Sequence, residues 1–340
     1  MQWTDPATLG RQVQMLSDRE FVELLNSLLS ETAARAGINR TSIASNLNIQ
    51  EPDGGIDARC VNASNLAGWL IPRKNVDYQF KSGQYKRSVP GIVDEDILNK
   101  PRVRSGLESG HAVVFACGWE RGDSIEDEIT RELRRRHVEV EDGQIVFLTA
   151  YSIAQLLQTC PSSLALFLGW DLPLIGITRW ARFPSLNNQF QVDPILDKMM
   201  EALHIKIQKP KSITHIIGNS GSGRTRLVLE TLRASDLAPQ VLYGRDATKI
   251  TEPFLLSLRR TPDVECTVVV DDVDRRDAEI LNDEFTDMPA GVRLVMIGAD
   301  GSNVFDATLR VAPLSEQVLS AIVRTIMPDL SAETDIYSLA

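Results

Sequence analysis

Apolar residues in the first half of the chain follow first a helical period and then a strand period. Behind Ser17, the stretch SDREFVELLNSLLSETAARA places apolar side chains at helical spacing. Ser17 and Glu20 match a capping box, which predicts an amphipathic helix over 17–36. β-like runs follow at 55–61, 76–82, 111–117 and 144–150, with helical patterns at 124–136 and 152–158. This alternation predicts an α/β fold with a mixed sheet flanked by helices.

The pattern breaks between about 169 and 193, where Pro173, Gly176 and Pro184 interrupt a stretch without a sustained period. A second alternation of apolar strands and helices then runs from about 194 to 297 and predicts a doubly wound parallel sheet. The predicted organisation is therefore a first domain over 1–170, a linker over 171–192, a second domain over 193–312, and the incomplete start of a helical lid or winged-helix region over 313–340.

Composition limits the classes of protein to be considered. The 340 residues are 43% apolar and 24% charged, as in ordinary globular domains. No apolar run is long enough for a membrane helix and no signal peptide pattern opens the chain, so we expect a cytoplasmic protein without a membrane. The four cysteines form no CxxC pair, which predicts buried thiols. A net charge of −10 limits any contact with nucleic acid to a local surface.

A glycine-rich loop reads G-N-S-G-S-G-R-T over residues 218–225. It fits the phosphate-loop pattern G-x-x-x-x-G-K-[ST] except that Arg224 replaces lysine. An apolar strand precedes it and a helix pattern follows, so backbone N–H groups at Gly218, Gly221 and Gly223 are expected to cradle phosphates. Thr225 would offer its hydroxyl to Mg²⁺, and Arg224 would contact the β- and γ-phosphates. Because guanidinium is not equivalent to ammonium, nucleotide binding follows more directly than hydrolysis.

An acidic strand end supports the loop. Residues 266–274 read C-T-V-V-V-D-D-V-D, an apolar strand that ends in two carboxylates. Asp271 is expected beside the Mg²⁺ shell, and Asp272 could orient water. The cofactors predicted for this region are Mg²⁺ and ATP, with GTP not excluded.

Residues 216–233, the VVVDDVD strand and the later LRVAPLSEQVLSAI segment together resemble the STAND class of signal-transduction NTPases. The resemblance implies that nucleotide occupancy controls assembly into a homo-oligomer. It also implies a C-terminal sensor for a trigger. The chain departs from the class at Arg224 and in lacking everything beyond the early lid. A phage-derived trigger is therefore expected to act through a missing C-terminal sensor or through a partner chain.

A second motif lies in the first domain, where E-P-D-G-G-I-D (51–57) is followed by D-Y-Q-F-K (77–81). Two adjacent strands can place Asp57 near Gln79 and Lys81, because residues two apart on a strand share a face. Phosphodiester hydrolysis needs a divalent cation held by oxygen ligands and a group that serves the water and the phosphate. Asp57, the Gln79 amide oxygen and the Phe80 carbonyl could ligate the cation, and Lys81 could take the second role.

Three further features accompany this motif. The glycine pair in DGGID allows a sharp entry into the strand, and Glu23 supplies an acid on the opening helix, with Glu20 as the alternative. Glu51 or Asp53 could instead cap the turn before the strand. The segment 73–104 carries eight basic and four acidic residues, a local net charge of +4.

This arrangement resembles the PD-(D/E)xK nuclease superfamily, particularly its Mrr-like branch and related phage-defence nucleases, in which QxK commonly replaces (D/E)xK. The resemblance implies Asp57 as the metal carboxylate, Gln79 as the variant residue of the third motif, Lys81 as the catalytic lysine and Glu23 as the helical acid. The implied cofactor is Mg²⁺ or Mn²⁺, and the implied fold is restriction-endonuclease-like.

The two motifs together favour an anti-phage effector in which a trigger and nucleotide promote assembly, and assembled nuclease domains cut double-stranded DNA. Two alternatives remain open. One is an Mrr-like or type IV-like restriction nuclease in which NTP turnover drives DNA engagement. The other is a nucleotide-dependent scaffold whose nuclease domain is inactive and only binds a partner.

Overall fold

The computed structural model describes residues 5–45, 55–83, 87–120, 122, 124–167, 174–183, 190, 194–261, 263–299, 308–316 and 318–320. The chain divides into two compact units, 1–167 and 168–340. Each unit contains its own sheet.

The first unit is a mixed sheet with helices. Its elements in chain order are α1 (Pro6–Gln14), α2 (Asp18–Arg35), a 3₁₀ turn (Arg40–Ser42), β1 (Ile43–Ser45), β2 (Ala58–Cys60), β3 (Val76–Lys81), α3 (Val89–Gly91), a π-helical segment (Ile92–Leu98), α4 (Pro101–Glu108), β4 (Ala112–Cys117), α5 (Ile125–Arg135), β5 (Ile145–Leu148), α6 (Ala150–Thr159) and α7 (Pro161–Phe167).

The strands of this unit lie in the order β1-β2-β3-β4-β5. The β1–β2 and β2–β3 pairs are antiparallel, whereas β3–β4 and β4–β5 are parallel. All six residues of β4 are buried, since this strand has neighbours on both edges and contributes to the core on both faces. The predicted mixed α/β sheet is confirmed.

The opening helix has the capping predicted from its sequence. The Ser17 hydroxyl accepts a hydrogen bond from the Glu20 N–H, and the Glu20 carboxylate accepts one from the Ser17 N–H. The five apolar positions of the predicted stripe are buried: Phe21, Leu24, Leu25, Leu28 and Leu29. The helix therefore runs over Asp18–Arg35, close to its predicted bounds.

The second unit is built around a parallel sheet. Its elements are β6 (Ile175–Gly176), α8 (Ile177–Trp180), α9 (Pro194–Ile207), β7 (Ile213–Gly218), α10 (Arg224–Ala234), β8 (Val241–Gly244), α11 (Glu252–Arg260), β9 (Cys266–Val273), α12 (Arg275–Thr286), β10 (Val292–Ala299) and β11 (Thr308–Arg310), with short 3₁₀ turns at Ala238–Gln240 and Ala247–Lys249.

The strand order in this sheet is β11-β7-β10-β9-β8-β6. The first five strands are parallel to their neighbours and β6 is antiparallel to β8. The predicted parallel sheet is confirmed, and the order places the carboxyl ends of β7, β10 and β9 side by side. Ligands of open α/β sheets bind outside such ends.

Part of the predicted linker, 171–192, belongs to the second unit. Its described residues include β6 and α8, and Trp180 is fully buried with its ring stacked on Tyr243 at 4.2 Å between centroids. Elements of two and four residues are too short to show a period, so the sequence pattern looked like a loop. The lid was predicted over 313–340, and residues 317 and 321–340 of it lie outside the described residues.

All four cysteines are free and buried, as predicted. Among the helices of the described chain, none combines the length and apolar character needed to cross a membrane.

Candidate functional site

The phosphate-loop sequence connects β7 to α10 in the second unit. β7 ends at Gly218 and α10 begins at Arg224. Gly221 and Gly223 both have φ of +78°, the left-handed region that favours glycine. A Cβ atom on Gly218 would lie 2.8 Å from the Val311 carbonyl oxygen, so this position also requires glycine.

Thr225 and Asp271 meet although 46 residues separate them in the chain. The Thr225 hydroxyl donates to Asp271 Oδ2 at 2.9 Å, and the Tyr243 hydroxyl donates to the same oxygen at 3.1 Å. Asp271 Oδ1 accepts from the Asp272 N–H at 2.9 Å. Because the Thr225 O–H donates its hydrogen bond to the carboxylate, the lone pairs of its oxygen stay available to a cation.

Tyr243, at the end of β8, was not among the residues predicted from the sequence. The pKa of the Tyr243 phenol is raised mainly by burial. The negative charge of Asp271 and the hydrogen bond to it raise this pKa further. The protonated hydroxyl therefore remains a donor to Asp271. An aromatic residue at the end of an apolar strand gives no signal of this role, since the contact depends on strand order.

The positions of Arg224 and Asp272 differ from those of Thr225 and Asp271, because neither of them takes part in the Thr225–Asp271 contact. Arg224 Nη1 donates to the Gly298 carbonyl at the end of β10. Asp272 is exposed, has φ of +50°, and lies where the β9–β10 register shifts. The bulge thus turns Asp272 out of the regular ladder beside Asp271.

In the first unit, Asp57 lies at the start of β2 and contacts β3. Its N–H donates to the Tyr78 carbonyl at 2.9 Å, and its Oδ2 accepts from the Phe80 N–H at 2.6 Å. Since Ala58 pairs with Tyr78 in an antiparallel register, Asp57 falls opposite Gln79. The carboxylate is therefore beside the strand segment that carries Gln79 and Lys81.

Gln79 is fully buried, and only the nitrogen of its side-chain amide has a hydrogen-bond partner among the described residues. Nε2 donates to the Asp96 carbonyl at 2.6 Å. Among the described residues, Oε1 has no hydrogen-bond donor. A buried oxygen without a donor is costly and is the kind of atom that a cation satisfies.

Asp96, on the π-helical segment, holds Lys81 in place. Lys81 Nζ lies 3.0 Å from Asp96 Oδ1, and Arg87 Nη1 lies 2.8 Å from Asp96 Oδ2. Asp96 is only 2% exposed. A weak signal of Asp96 is present in the sequence as the Asp94-Glu95-Asp96 run inside a basic stretch, but its contact with Lys81 is not.

The predicted helical acid is not part of this group. Glu23 pairs with Arg19 at 2.9 Å on the exposed side of α2, and no contact with Asp57, Gln79 or Lys81 is recorded within the described chain. Glu20, the alternative, serves the helix cap, and its hydrogen bonds with Ser17 lower its pKa. Glu51 and Asp53 lie outside the described residues.

The basic stretch 73–104 is partly neutralised by neighbours. Ion pairs within the described residues hold Arg73, Lys81, Arg87 and Arg104. The described ranges contain no cluster of three or more His, Cys, Asp or Glu residues arranged for a metal ion. Mg²⁺ commonly takes one or two carboxylates and completes its shell with water and substrate phosphate. The pair of Asp57 and Gln79 fits that type of site and not an all-protein cage.

Comparisons with known proteins found distant structural similarity only. No protein-family model matches the chain, and no curated protein matches it. Solved structures with some likeness include S. cerevisiae Hsp104 in an Hsp104:casein complex (16% identity, TM-score 0.34, 46% of this chain and 32% of that one). C. elegans PCH-2 is 10% identical with a TM-score of 0.31, over 45% of this chain and 52% of that one. NtrX from Brucella abortus in complex with ATP is 13% identical with a TM-score of 0.31, over 76% and 62%. The chain thus spans less than two thirds of each.

Proposed function

We propose that the second unit binds a nucleoside triphosphate with Mg²⁺, and that this binding regulates a metal-dependent DNA endonuclease in the first unit. The observation that carries the nucleotide site is the Thr225–Asp271 hydrogen bond at the end of the glycine loop. It joins the two groups that a Mg²⁺–phosphate complex needs on one side of the sheet. ATP is the nucleotide expected, and GTP is the alternative.

The loop residues have separate roles in this proposal. The N–H groups of the loop and the start of α10 bind phosphate oxygens. Thr225 offers its oxygen to the cation while its O–H donates a hydrogen bond to Asp271. Arg224 donates a hydrogen bond to the Gly298 carbonyl and so connects the start of α10 to the end of β10. We assign it this contact and not a role at the γ-phosphate. Nucleotide binding, and not rapid turnover, is therefore the activity we assign to this unit.

In the first unit, Asp57 and the Gln79 Oε1 atom would hold Mg²⁺ or Mn²⁺. The bound cation supplies charge stabilisation to a phosphodiester and lowers the pKa of a ligated water. Lys81 donates hydrogen bonds to the phosphate under attack, and Asp96 positions the Lys81 ammonium. The substrate we propose is double-stranded DNA.

The wider role we propose is that of an anti-phage effector that forms a homo-oligomer when a phage-derived trigger acts on it. Clustering raises the local concentration of nuclease sites on DNA. An NTP-driven restriction nuclease would require efficient hydrolysis, which Arg224 disfavours. A scaffold with an inactive nuclease domain would give the buried Gln79 Oε1 atom no cation to bind.

Titration calorimetry with ATP and Mg²⁺ tests the nucleotide site. We expect Thr225→Ala and Asp271→Ala each to weaken binding by about tenfold or more, since each removes a charge-assisted contact worth roughly 1.5 kcal/mol or above. Thr286→Ala, an exposed threonine on α12, is the matched control and should bind as wild type. Unchanged affinity in both site variants would refute the assignment.

Metal binding to the first unit is tested with Mn²⁺, read by electron paramagnetic resonance on the full chain without nucleotide. Asp57→Asn should abolish the signal of the bound ion that belongs to this unit, and Gln79→Leu should weaken binding. Gln79→Glu, which adds a carboxylate oxygen at the same place, should retain or strengthen it. Equal Mn²⁺ binding in Asp57→Asn and wild type would contradict the site.

A further inference from the structure

The carboxylate of Asp271 accepts three hydrogen bonds, and two of them share one oxygen. Its Oδ2 atom accepts from the Thr225 hydroxyl at 2.9 Å and from the Tyr243 hydroxyl at 3.1 Å. Its Oδ1 atom accepts from the Asp272 N–H at 2.9 Å. A carboxylate oxygen has two lone pairs, so both acceptor positions of Oδ2 are in use.

Of the two donors to Oδ2, Tyr243 is the one that can be exchanged. Thr225 lies at the glycine loop and its oxygen is itself a proposed cation ligand, so Thr225 and Asp271 are expected to stay together in the loaded site. Ligation of a cation by Oδ2, directly or through a bound water, needs a second lone pair beside Thr225. That lone pair is the one to which Tyr243 donates. Loading at Oδ2 therefore requires Tyr243 to give up this bond.

The Tyr243 ring is packed against two other aromatic rings. It stacks on Trp180 with 4.2 Å between centroids and an interplanar angle of 12°, and the Phe183 ring meets it edge-on at 6.0 Å. Tyr243 is 4% exposed and Trp180 is 0% exposed. Stacked rings in a packed interior move together, because a gap between them would lose dispersion contacts. A shift of the Tyr243 ring would therefore also shift Trp180.

Trp180 belongs to the segment 174–183, which is attached to the end of β8. The strand β6 in this segment pairs with β8 over two residues, one of which is opposite Tyr243. Among the described residues, the indole N–H of Trp180 has no acceptor, so no hydrogen bond recorded there opposes such a shift. In chain order the segment follows the first unit, whose helix α7 ends at Phe167.

We propose that the Tyr243 hydroxyl competes with the Mg²⁺–nucleotide complex for Asp271 Oδ2, and that the Tyr243 ring passes this exchange to Trp180. The inference rests on the proposed nucleotide site. A buried hydroxyl that loses its acceptor is costly, so the ring shifts when the bond to Asp271 is broken. Tyr243 therefore lowers the affinity for nucleotide and couples nucleotide binding to the segment 174–183.

The direction of one affinity change tests the competition. Tyr243→Phe keeps the stacked ring and removes the hydroxyl, so no donor has to leave Oδ2. In titration calorimetry on the full chain, we expect this variant to bind Mg²⁺–ATP about tenfold tighter than wild type, the ratio for one hydrogen bond to a charged group. Tyr151→Phe, an exposed tyrosine of the first unit, is the matched control and should bind as wild type. Equal or weaker binding by folded Tyr243→Phe would overturn the competition.

Tryptophan emission tests the movement of Trp180. Relative to Mg²⁺ alone, Mg²⁺ with ATP should change the emission of wild type, whereas ATP with EDTA should not. Trp180→Phe and Tyr243→Phe should each lose most of this change, and Trp69→Phe, an exposed tryptophan, should keep it. No change in wild type, or a change that persists in Trp180→Phe, would overturn the transfer to Trp180.

Folding of each variant is checked by thermal unfolding. If Tyr243→Phe does not fold, the emission of wild type, Trp180→Phe and Trp69→Phe decides. Absence of ATP binding by wild type in calorimetry would remove the proposed nucleotide site and this inference with it. If wild type binds ATP, but Tyr243→Phe binds it no tighter and Trp180 does not respond, this inference alone fails.

Discussion

Among single residues, Glu31 on α2 is a carboxylate enclosed completely by the first unit. Its oxygens accept hydrogen bonds from the Ser162 N–H, the Ser163 N–H and the Ser163 hydroxyl. Burial nevertheless raises its pKa to about 7, because the loss of hydration outweighs these donors. The first turn of α7 is thereby connected to α2 through a titrating group.

This pKa predicts that the stability of the first unit falls with rising pH. The unfolded carboxyl has a pKa near 4.5, so the folded state binds more protons between that value and about 7. The protonated Glu31 carboxyl therefore stabilises the folded state at low pH, and this stabilisation is lost as pH rises through about 7. Urea unfolding should show a loss of roughly 2 kcal/mol from about pH 5.5 to about pH 8, and Glu31→Gln should show less. An equal pH dependence in the two proteins would contradict the role of Glu31.

Gly106 shows at the residue scale how tightly α4 packs on β3. A Cβ atom at this position would lie 2.2 Å from Asp77 Oδ2 and 3.2 Å from His111 Nδ1. The Asp77 carboxylate cannot move freely, since Arg59 and His111 both hold it. The glycine is therefore required by the approach of the helix to the strand and not by its backbone angles.

We predict that Gly106→Ala destabilises the protein by about 1 kcal/mol. Alanine in a helix gains about 1 kcal/mol over glycine. Overpacking a buried contact costs about 1–3 kcal/mol, and here it also disturbs an ion pair. Urea unfolding measures the difference, with Ser105→Ala on the same helix as the control. A stability above wild type for Gly106→Ala would show that the steric argument is wrong.

At the scale of elements, the sequence predicted those that have a strong local period. The α10 helix was predicted at its observed bounds, 224–234, and β3 and β4 were predicted to within one residue at either end. These elements combine an apolar period with clear punctuation, such as the glycines before α10. The short β6 and α8 were missed, because Trp180 packs on Tyr243 and no local pattern records that contact.

The same distinction applies to the candidate sites. Thr225 and Asp271 follow from the parallel strand order, so their meeting could be anticipated from two motifs. Asp96 and Tyr243 could not, since neither residue belongs to a motif that indicates its contact with Lys81 or with Asp271. Glu23 was predicted from its place on the opening helix, where it forms an ion pair with Arg19 one turn earlier.

For the molecule as a whole, the net charge of −10 requires that any DNA contact be made by a limited surface. The first unit supplies Arg59 and Lys81, each paired with a buried carboxylate. The second unit supplies a glycine loop with a threonine and a carboxylate at the ends of parallel strands. We propose that nucleotide bound at the glycine loop of the second unit controls DNA cleavage at Asp57 and Lys81 of the first unit.

The most direct test is the initial rate at which the purified full chain nicks supercoiled plasmid in Mg²⁺, with and without ATP. Wild type should cleave at least about 100-fold faster than Lys81→Ala, because Lys81 stabilises charge at the phosphate. Its rate should respond to ATP, whereas that of Thr225→Ala should not. Lys74→Ala, an exposed lysine near β3, is the control. Equal cleavage by Lys81→Ala and wild type, or a wild-type rate unaffected by ATP, would contradict the account.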